Sequence, residues 1–92
     1  MYSVTYAKSR IVQRLYTKGA FEKGHMLEQN ILKGTPRVYW GVGREALREL
    51  LKEGIVKRYG KTRHGIAYQL NNDHLAEIED YLKKFDKIAD EG

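Results

Sequence analysis

Apolar side chains recur every three or four residues in four stretches of the chain, and that spacing places them on one face of an α-helix. Ala7, Ile11 and Leu15 show it in the first stretch, and Leu27 and Ile31 show it in the second. The pattern predicts helices over residues 5–18, 22–33 and 36–53, and a fourth helix of about 17 residues that begins at Asn72 or Asp73.

The third predicted helix has a clear start signal but contains two glycines. Thr35 is a good N-cap, and Pro36 suits the first helical position because its missing N–H would have no helical partner there. Gly41 and Gly43 are unfavourable inside a helix. A helix that begins near Gly43, after a loop over residues 36–42, is therefore the alternative.

A β-hairpin is predicted between the third and fourth helices. Residues 55–59 are β-branched and aromatic, residues 66–70 alternate with a period of two, and residues 60–65 carry a glycine at each end, as turns with positive φ require. The element order is thus three helices, a hairpin and a last helix. The short link between the second and third helices is typical of a helix-turn-helix.

Length and composition point to one small domain. The chain has 92 residues and no cysteine, so no disulfide or thiolate metal site is expected. No apolar run reaches the roughly 18 residues of a membrane span, and the N-terminus has no apolar signal region. We therefore expect a cytoplasmic protein without membrane contact, in which residues 1–71 form the body and residues 72–92 form a C-terminal amphipathic helix.

Charge is distributed unevenly along the chain. Residues 1–71 hold 14 Lys and Arg against 5 Asp and Glu, a net charge of +9, whereas residues 72–92 hold 3 against 7, a net charge of −4. The two values sum to the net charge of +5. A basic body beside an acidic segment indicates a surface for a polyanion, and a basic surface that is merely solvated is the alternative.

The third predicted helix carries a basic stripe away from its leucines. On a helical wheel Arg37, Gly41, Arg44 and Arg48 share one outward face, which suits a helix entering the major groove of DNA, with arginine contacting guanine or phosphate. Gly41 would let the backbone approach the DNA closely. The alternative is that Arg44 and Arg48 pair with glutamates of the same helix, namely Glu45, Glu49 or Glu53.

The hairpin concentrates positive charge without an acidic residue between Ile55 and Asn72. Such a loop repels itself unless a polyanion binds, so we expect its side chains to contact phosphates or the minor groove. The residues predicted to bind DNA from this wing are Lys57, Arg58, Lys61, Thr62, Arg63 and His64.

Two aromatic residues lie between Arg37 and Gly41 of the basic stripe. Tyr39 falls near the leucine face on the wheel, which predicts packing in the core. Trp40 falls between the leucines and the arginines, so packing against a neighbouring helix and contact with DNA or a partner both stay open. We include Trp40 among the candidate DNA-binding residues.

The fourth helix carries an apolar stripe with coiled-coil spacing, although only two heptads are present. We expect this stripe to join two copies of the chain, with the acidic exterior turned away from DNA. The alternative is that the helix folds back over the first helix. The residues of the predicted homodimer contact are Leu75, Ile78, Tyr81, Leu82, Phe85 and Ile88.

Residues 47–58, LRELLKEGIVKR, resemble the end of the recognition helix and the first wing strand of prokaryotic winged helix-turn-helix regulators, including MarR-, ArsR- and PadR-like families and many small archaeal proteins. Tyr68-Gln69-Leu70 resembles their second wing strand. The resemblance implies a mainly α, α+β fold of three helices, a two-stranded wing and a C-terminal helix, with double-stranded DNA as partner. The sequence departs from these families over residues 36–43, PRVYWGVG, where their helix start is rich in Ser and Thr.

Other chemistries find little support. Gly60-Lys61-Thr62 looks like the end of a phosphate-binding loop but lacks the earlier glycine and the strand-to-helix context. The histidines have no metal-ligand spacing, and no nucleophile–base pair is evident. We expect no enzyme activity, metal, cofactor or small-molecule effector. Three hypotheses stay open: a sequence-specific transcription regulator, a DNA-coating or architectural protein, and a winged helix that binds other proteins.

Overall fold

The computed structural model describes residues 2–91 of the chain, and the side chains of residues 2–87. Within that range it contains four α-helices and one three-stranded antiparallel sheet, which confirms the predicted α+β class. The sheet order is β1-β3-β2. The elements are α1 (Val4–Thr17), β1 (Met26–Leu27), α2 (Glu28–Leu32), α3 (Trp40–Glu53), β2 (Val56–Thr62), β3 (Gly65–Leu70) and α4 (Leu75–Glu91), with 3-10 turns at Arg37–Tyr39 and Asn72–His74.

The prediction of the second helix is wrong over its first half. α2 has five residues, and the two residues before it pair with β3 as β1. A Cβ at Gly24 would lie 2.0 Å from the carbonyl oxygen of Gly19, so this segment folds too tightly for a side chain there. The buried Gln69 amide donates to the carbonyl oxygens of Glu22 (2.7 Å) and Gly24 (2.9 Å). A side chain of the sheet thus donates to carbonyl groups that would accept hydrogen bonds within the segment if it were helical.

The third helix begins between its two predicted start points. A 3-10 turn over Arg37–Tyr39 follows Pro36, and the α-helix begins at Trp40. Gly43 lies against α2, because a Cβ there would be 2.7 Å from Cδ2 of Leu32. One of the two glycines within the helix is therefore explained by helix packing.

The hairpin has longer strands and a shorter turn than predicted, with two residues, Arg63 and His64, between β2 and β3. The Thr62 hydroxyl donates to the carbonyl oxygen of Gly65 (2.7 Å) and accepts from the N–H of His64 (3.1 Å). Thr62, predicted as a DNA contact, thereby closes the turn of the hairpin.

The core lies where α1 meets α3, α4 and the sheet. Val12 and Leu15 of α1 are fully buried together with Leu50 of α3, and Leu70 and Ile78 are each 1% exposed. Because α1 supplies a buried face to every layer, it acts as the central support on which α3 and the hairpin are held.

The fourth helix folds back over α1, which was the alternative to the predicted dimer contact. Ile78 is buried, Tyr81 and Leu82 pack against the core, and the ring of Phe85 lies 6.3 Å from that of Tyr6. These four side chains pack within their own chain, because α1 covers the apolar stripe. Leu75, at the start of the helix, stays 51% exposed.

Two further details of α4 bear on the predictions. Ile88 lies outside the residues whose side chains the structure describes. The helix does not begin at Asn72 or Asp73, because the Asn71 side chain accepts a hydrogen bond from the N–H of Asp73 and starts a 3-10 turn before the α-helix. The homodimer stays a prediction, now without most of the apolar stripe that suggested it.

A polar cluster ties three helices together beside the core. The Lys8 ammonium of α1 donates to the Glu53 carboxylate of α3 and lies 3.4 Å from that of Glu49, and the Tyr81 hydroxyl of α4 donates to Glu53 at 2.8 Å. Burial alone would lower the pKa of Lys8, but its contacts with Glu53 and Tyr81 raise it. Burial alone would raise the pKa of Glu53, but hydrogen bonds from Lys8 and Tyr81 hold it below its ordinary value.

Candidate nucleic-acid interface

The predicted basic stripe lies on the surface of α3. Arg37, Gly41, Arg44 and Arg48 are all exposed, while Leu47, next to Arg48, is buried. A Cβ built on Gly41 would meet no atom within 4 Å. The helix therefore presents arginines around a patch of bare backbone, as the wheel predicted.

Trp40 lies inside this arginine group. Its ring centre is 5.9 Å from the Arg37 guanidinium and 5.7 Å from that of Arg44, within the range of cation–π contacts. Its indole N–H donates to the carbonyl oxygen of Thr35 at 2.8 Å. Trp40 thus connects the turn before α3 to both arginines and restrains where they point.

Tyr39 does not pack in the core, contrary to the prediction. It is 37% exposed, and its ring stacks on that of Tyr2 with centres 4.7 Å apart and planes 6° apart. The wheel assumed α-helical geometry from residue 36, whereas residues 37–39 form a 3-10 turn that rotates Tyr39 outward.

The glutamates of α3 compete little for the arginines. Arg48 lies 3.6 Å from Glu45 in an exposed pair, which is worth a few tenths of a kcal/mol in such helices. Glu49 and Glu53 turn to Lys8 of α1 instead. Among the side chains of residues 2–87, no carboxylate lies within ion-pairing distance of Arg37 or Arg44. The alternative of a self-neutralised stripe therefore holds for Arg48 alone.

One cavity joins α3 to the hairpin. It measures about 200 Å³, and side chains of two separate elements converge on it: Arg44 and Arg48 from α3 and Arg58 from β2. Glu28 adds one carboxylate. The apolar part of the wall is formed by Leu47, Leu51 and Tyr68. The helix stripe and the start of the hairpin thus lie on the same face of the molecule, which sequence spacing alone did not establish.

Further basic side chains of the hairpin lie outside the lining of this cavity. The exposed side chains of the hairpin include Lys57, Lys61, Arg63 and His64. Within the described residues none of them pairs with a carboxylate. The basic charge of the hairpin is therefore available to an anionic partner.

Two exposed features were not predicted from the sequence. Tyr59 sits at a bulge in β2, where the register shifts between Arg58 and Gly60, and its ring stacks on His25 with centres 4.3 Å apart. Val38 is 80% exposed in the 3-10 turn before α3. The apolar side chain of Val38 favoured burial, and only the geometry of the 3-10 turn shows that it is exposed.

A second, more apolar cavity of about 160 Å³ lies away from the basic face. It is lined by Tyr16, Phe21, Leu70, Asn72, Leu75 and Ile78. Tyr16 and Leu75 are each about half exposed at its edge.

The described residues contain no group of three or more His, Cys, Asp or Glu side chains placed to hold a metal ion. In the same part of the chain, no helix has both the length and the apolar character needed to cross a membrane. No protein-family model matches the chain, and searches of curated proteins and solved structures gave no significant match.

Proposed function

We propose that this chain binds double-stranded DNA as a winged helix-turn-helix, with α3 in the major groove and the β2–β3 hairpin as the wing. The observation that carries the proposal is the cavity shared by Arg44, Arg48 and Arg58. Three arginines from two elements line this cavity with one acidic residue, Glu28, and Arg48 also pairs with Glu45, so three positive charges stand against two negative charges. A duplex phosphate backbone supplies the missing negative charge.

The dimensions of the elements support the same proposal. α3 has 14 residues, so it is about 21 Å long, and a helix of that size fits the roughly 12 Å wide major groove. α2 ends at Leu32 and the 3-10 turn begins at Arg37, which leaves the short connection of a helix-turn-helix.

Within the proposal the candidate residues divide by role. Arg37, Arg44 and Arg48 reach base edges or phosphates, and Gly41 permits close approach of the backbone. Trp40 holds two of the arginines. The hairpin binds phosphates or the minor groove through Lys57, Arg58, Lys61, Arg63 and His64.

A transcription regulator and an architectural protein make different predictions for this face. A regulator prefers its own site over random duplex by about 10³-fold or more, whereas an architectural protein shows little preference. Selection of bound duplexes from a random pool, followed by competition binding, distinguishes them. We propose the regulator, because arginines on an exposed helix face can read guanine as well as phosphate.

The proposal is tested by fluorescence anisotropy with a labelled random-sequence duplex of about two helical turns. We expect binding at about 50 mM salt that weakens steeply as salt rises. Changing Arg44 and Arg58 together to Gln should lower affinity about tenfold or more and reduce the salt dependence by about two phosphate contacts.

The matched control removes the same charge elsewhere. Lys83 and Lys87 are exposed on α4, and changing both to Gln should leave duplex affinity nearly unchanged. No binding at low salt, binding that does not respond to salt, or an equal loss in the control would each contradict the proposal.

A further inference from the structure

Val38 is the most exposed large hydrophobic residue among the described side chains. It is 80% exposed, whereas Val12 and Val56 are 0% and 1% exposed. Val38 follows Arg37 in the 3-10 turn that leads into α3, so it lies at the N-terminal end of the arginine-bearing helix. Exposed aliphatic surface is unfavourable in water, so the free protein gains nothing from a valine held outward here.

Gly41 lies three residues after Val38, and residues three apart in a helical segment are neighbours on its surface. Gly41 has no packing reason for lacking a side chain, since a Cβ there would meet open space. Glycine in an exposed helix costs about 1 kcal/mol relative to alanine. Val38 and Gly41 together form a small apolar step with open space beside it.

This step is supported from beneath. The indole N–H of Trp40 donates to the carbonyl oxygen of Thr35, and the Thr35 hydroxyl lies 3.2 Å from that of Tyr2. The Tyr2 ring in turn stacks on Tyr39. The turn that presents Val38 is therefore held on both sides, so its exposure reflects a fixed position.

We propose that Val38 contacts the 5-methyl group of thymine in the major groove, with Gly41 giving the base pair room to approach. This inference rests on the proposed DNA binding. Thymine is the base that presents a methyl group in that groove, and apolar side chains read it by contact. Arg37 and Arg44, on either side of the step, hold the backbone register through phosphates.

The test compares two DNA duplexes of about 20 base pairs that differ only in this methyl group. One alternates A and T, and the other alternates A and deoxyuridine. Removing one methyl from a buried contact should weaken binding about fourfold. We expect the wild type to prefer the thymine duplex by at least that factor. In Val38→Ser the preference should fall to about one, while overall binding persists through the arginines.

Leu75→Ser is the control, because Leu75 is also an exposed aliphatic residue but belongs to the acidic segment of residues 72–92. It should retain the thymine preference. Equal binding of both duplexes by the wild type, or a preference that Val38→Ser leaves intact, would overturn the role of Val38 while DNA binding stands. Binding of neither duplex would overturn the proposed function itself.

Discussion

Gly41 and Gly43 lie two residues apart in α3, and among the described residues only Gly43 has a contact that accounts for it. Gly43 is buried, and a Cβ there would press on Leu32 of α2 at 2.7 Å. Gly41 faces open space. In the sequence the two glycines look equally unfavourable for a helix. They can be told apart only once the position of α2 against Gly43 is known.

Gly41→Ala should therefore stabilise the free protein and weaken its binding to DNA. Alanine is favoured over glycine by about 0.5–1 kcal/mol in a helix interior, which corresponds to a rise in Tm of several degrees for a domain of this size. The added methyl would stand between α3 and the duplex, and we expect affinity to fall about tenfold. Thermal unfolding and anisotropy measure the two effects on one variant.

Gly43→Ala is the matched comparison. Its Cβ must displace Leu32, and overpacking of this kind costs about 1–3 kcal/mol, so we expect Tm to fall or stay level. If Gly41→Ala raised Tm and left duplex affinity unchanged, α3 would not approach DNA at this position.

At the scale of elements, local patterns predicted well where neighbours in sequence decide the structure. α1 was expected over residues 5–18 and is found at Val4–Thr17, because its apolar stripe lies wholly within one helix. The prediction failed at residues 22–27, where a contact from β3 decides. Nothing in the spacing of that segment indicates that Gln69 will bind its carbonyl groups.

Gln69→Met tests whether this contact shapes the segment. Methionine has a similar volume but cannot donate, so two partly buried carbonyl groups lose their partner, and we expect a loss of about 1–3 kcal/mol in the free energy of unfolding. Urea denaturation measures it. Gln29→Met, at an exposed position of α2, should cost much less, and an equal loss in both variants would contradict this account.

The cluster of Lys8, Glu53 and Tyr81 predicts a pH dependence of stability. Since the pKa of Glu53 is lower in the folded chain than its ordinary value of 4.5, the unfolded chain binds protons more readily as pH falls. The contribution of Glu53 is therefore complete above about pH 4.5 and is lost as pH falls below it.

Glu53→Gln should flatten the fall in the free energy of unfolding between about pH 5 and pH 3, measured by denaturation at several pH values. Glu49→Gln serves as control, because Glu49 is the more distant partner of Lys8, at 3.4 Å. An unchanged slope in Glu53→Gln, or a larger change in Glu49→Gln, would mean that this cluster does not govern acid stability.

At the scale of the whole molecule, the fold sorts the charge that the sequence distributes unevenly. The segment with a net charge of +9 supplies α3 and the hairpin, while the segment with a net charge of −4 contains α4. The sequence identified most residues of the candidate face one by one. It could not show that Arg58 shares a cavity with Arg44 and Arg48, because that depends on how β2 packs beside α3.

The predicted dimer contact shows a question that residue spacing alone cannot decide. A stripe with coiled-coil spacing fits a partner helix equally well whether it comes from the same chain or another, so spacing could not choose between them. In the structure α1 occupies this place, with Ile78 buried against the core. The apolar pattern of α4 predicted that this face is buried, but it did not indicate which surface covers it.

The central claim is that α3 and the hairpin form one face that binds duplex DNA. Amide chemical shifts of the ¹⁵N-labelled protein, titrated with a duplex of about 20 base pairs at low salt, test it directly. We predict that the shifts concentrate in residues 37–48 and 57–64, with little change over residues 77–87. Shifts centred on α4 or the apolar cavity, or no shifts at all, would contradict the claim.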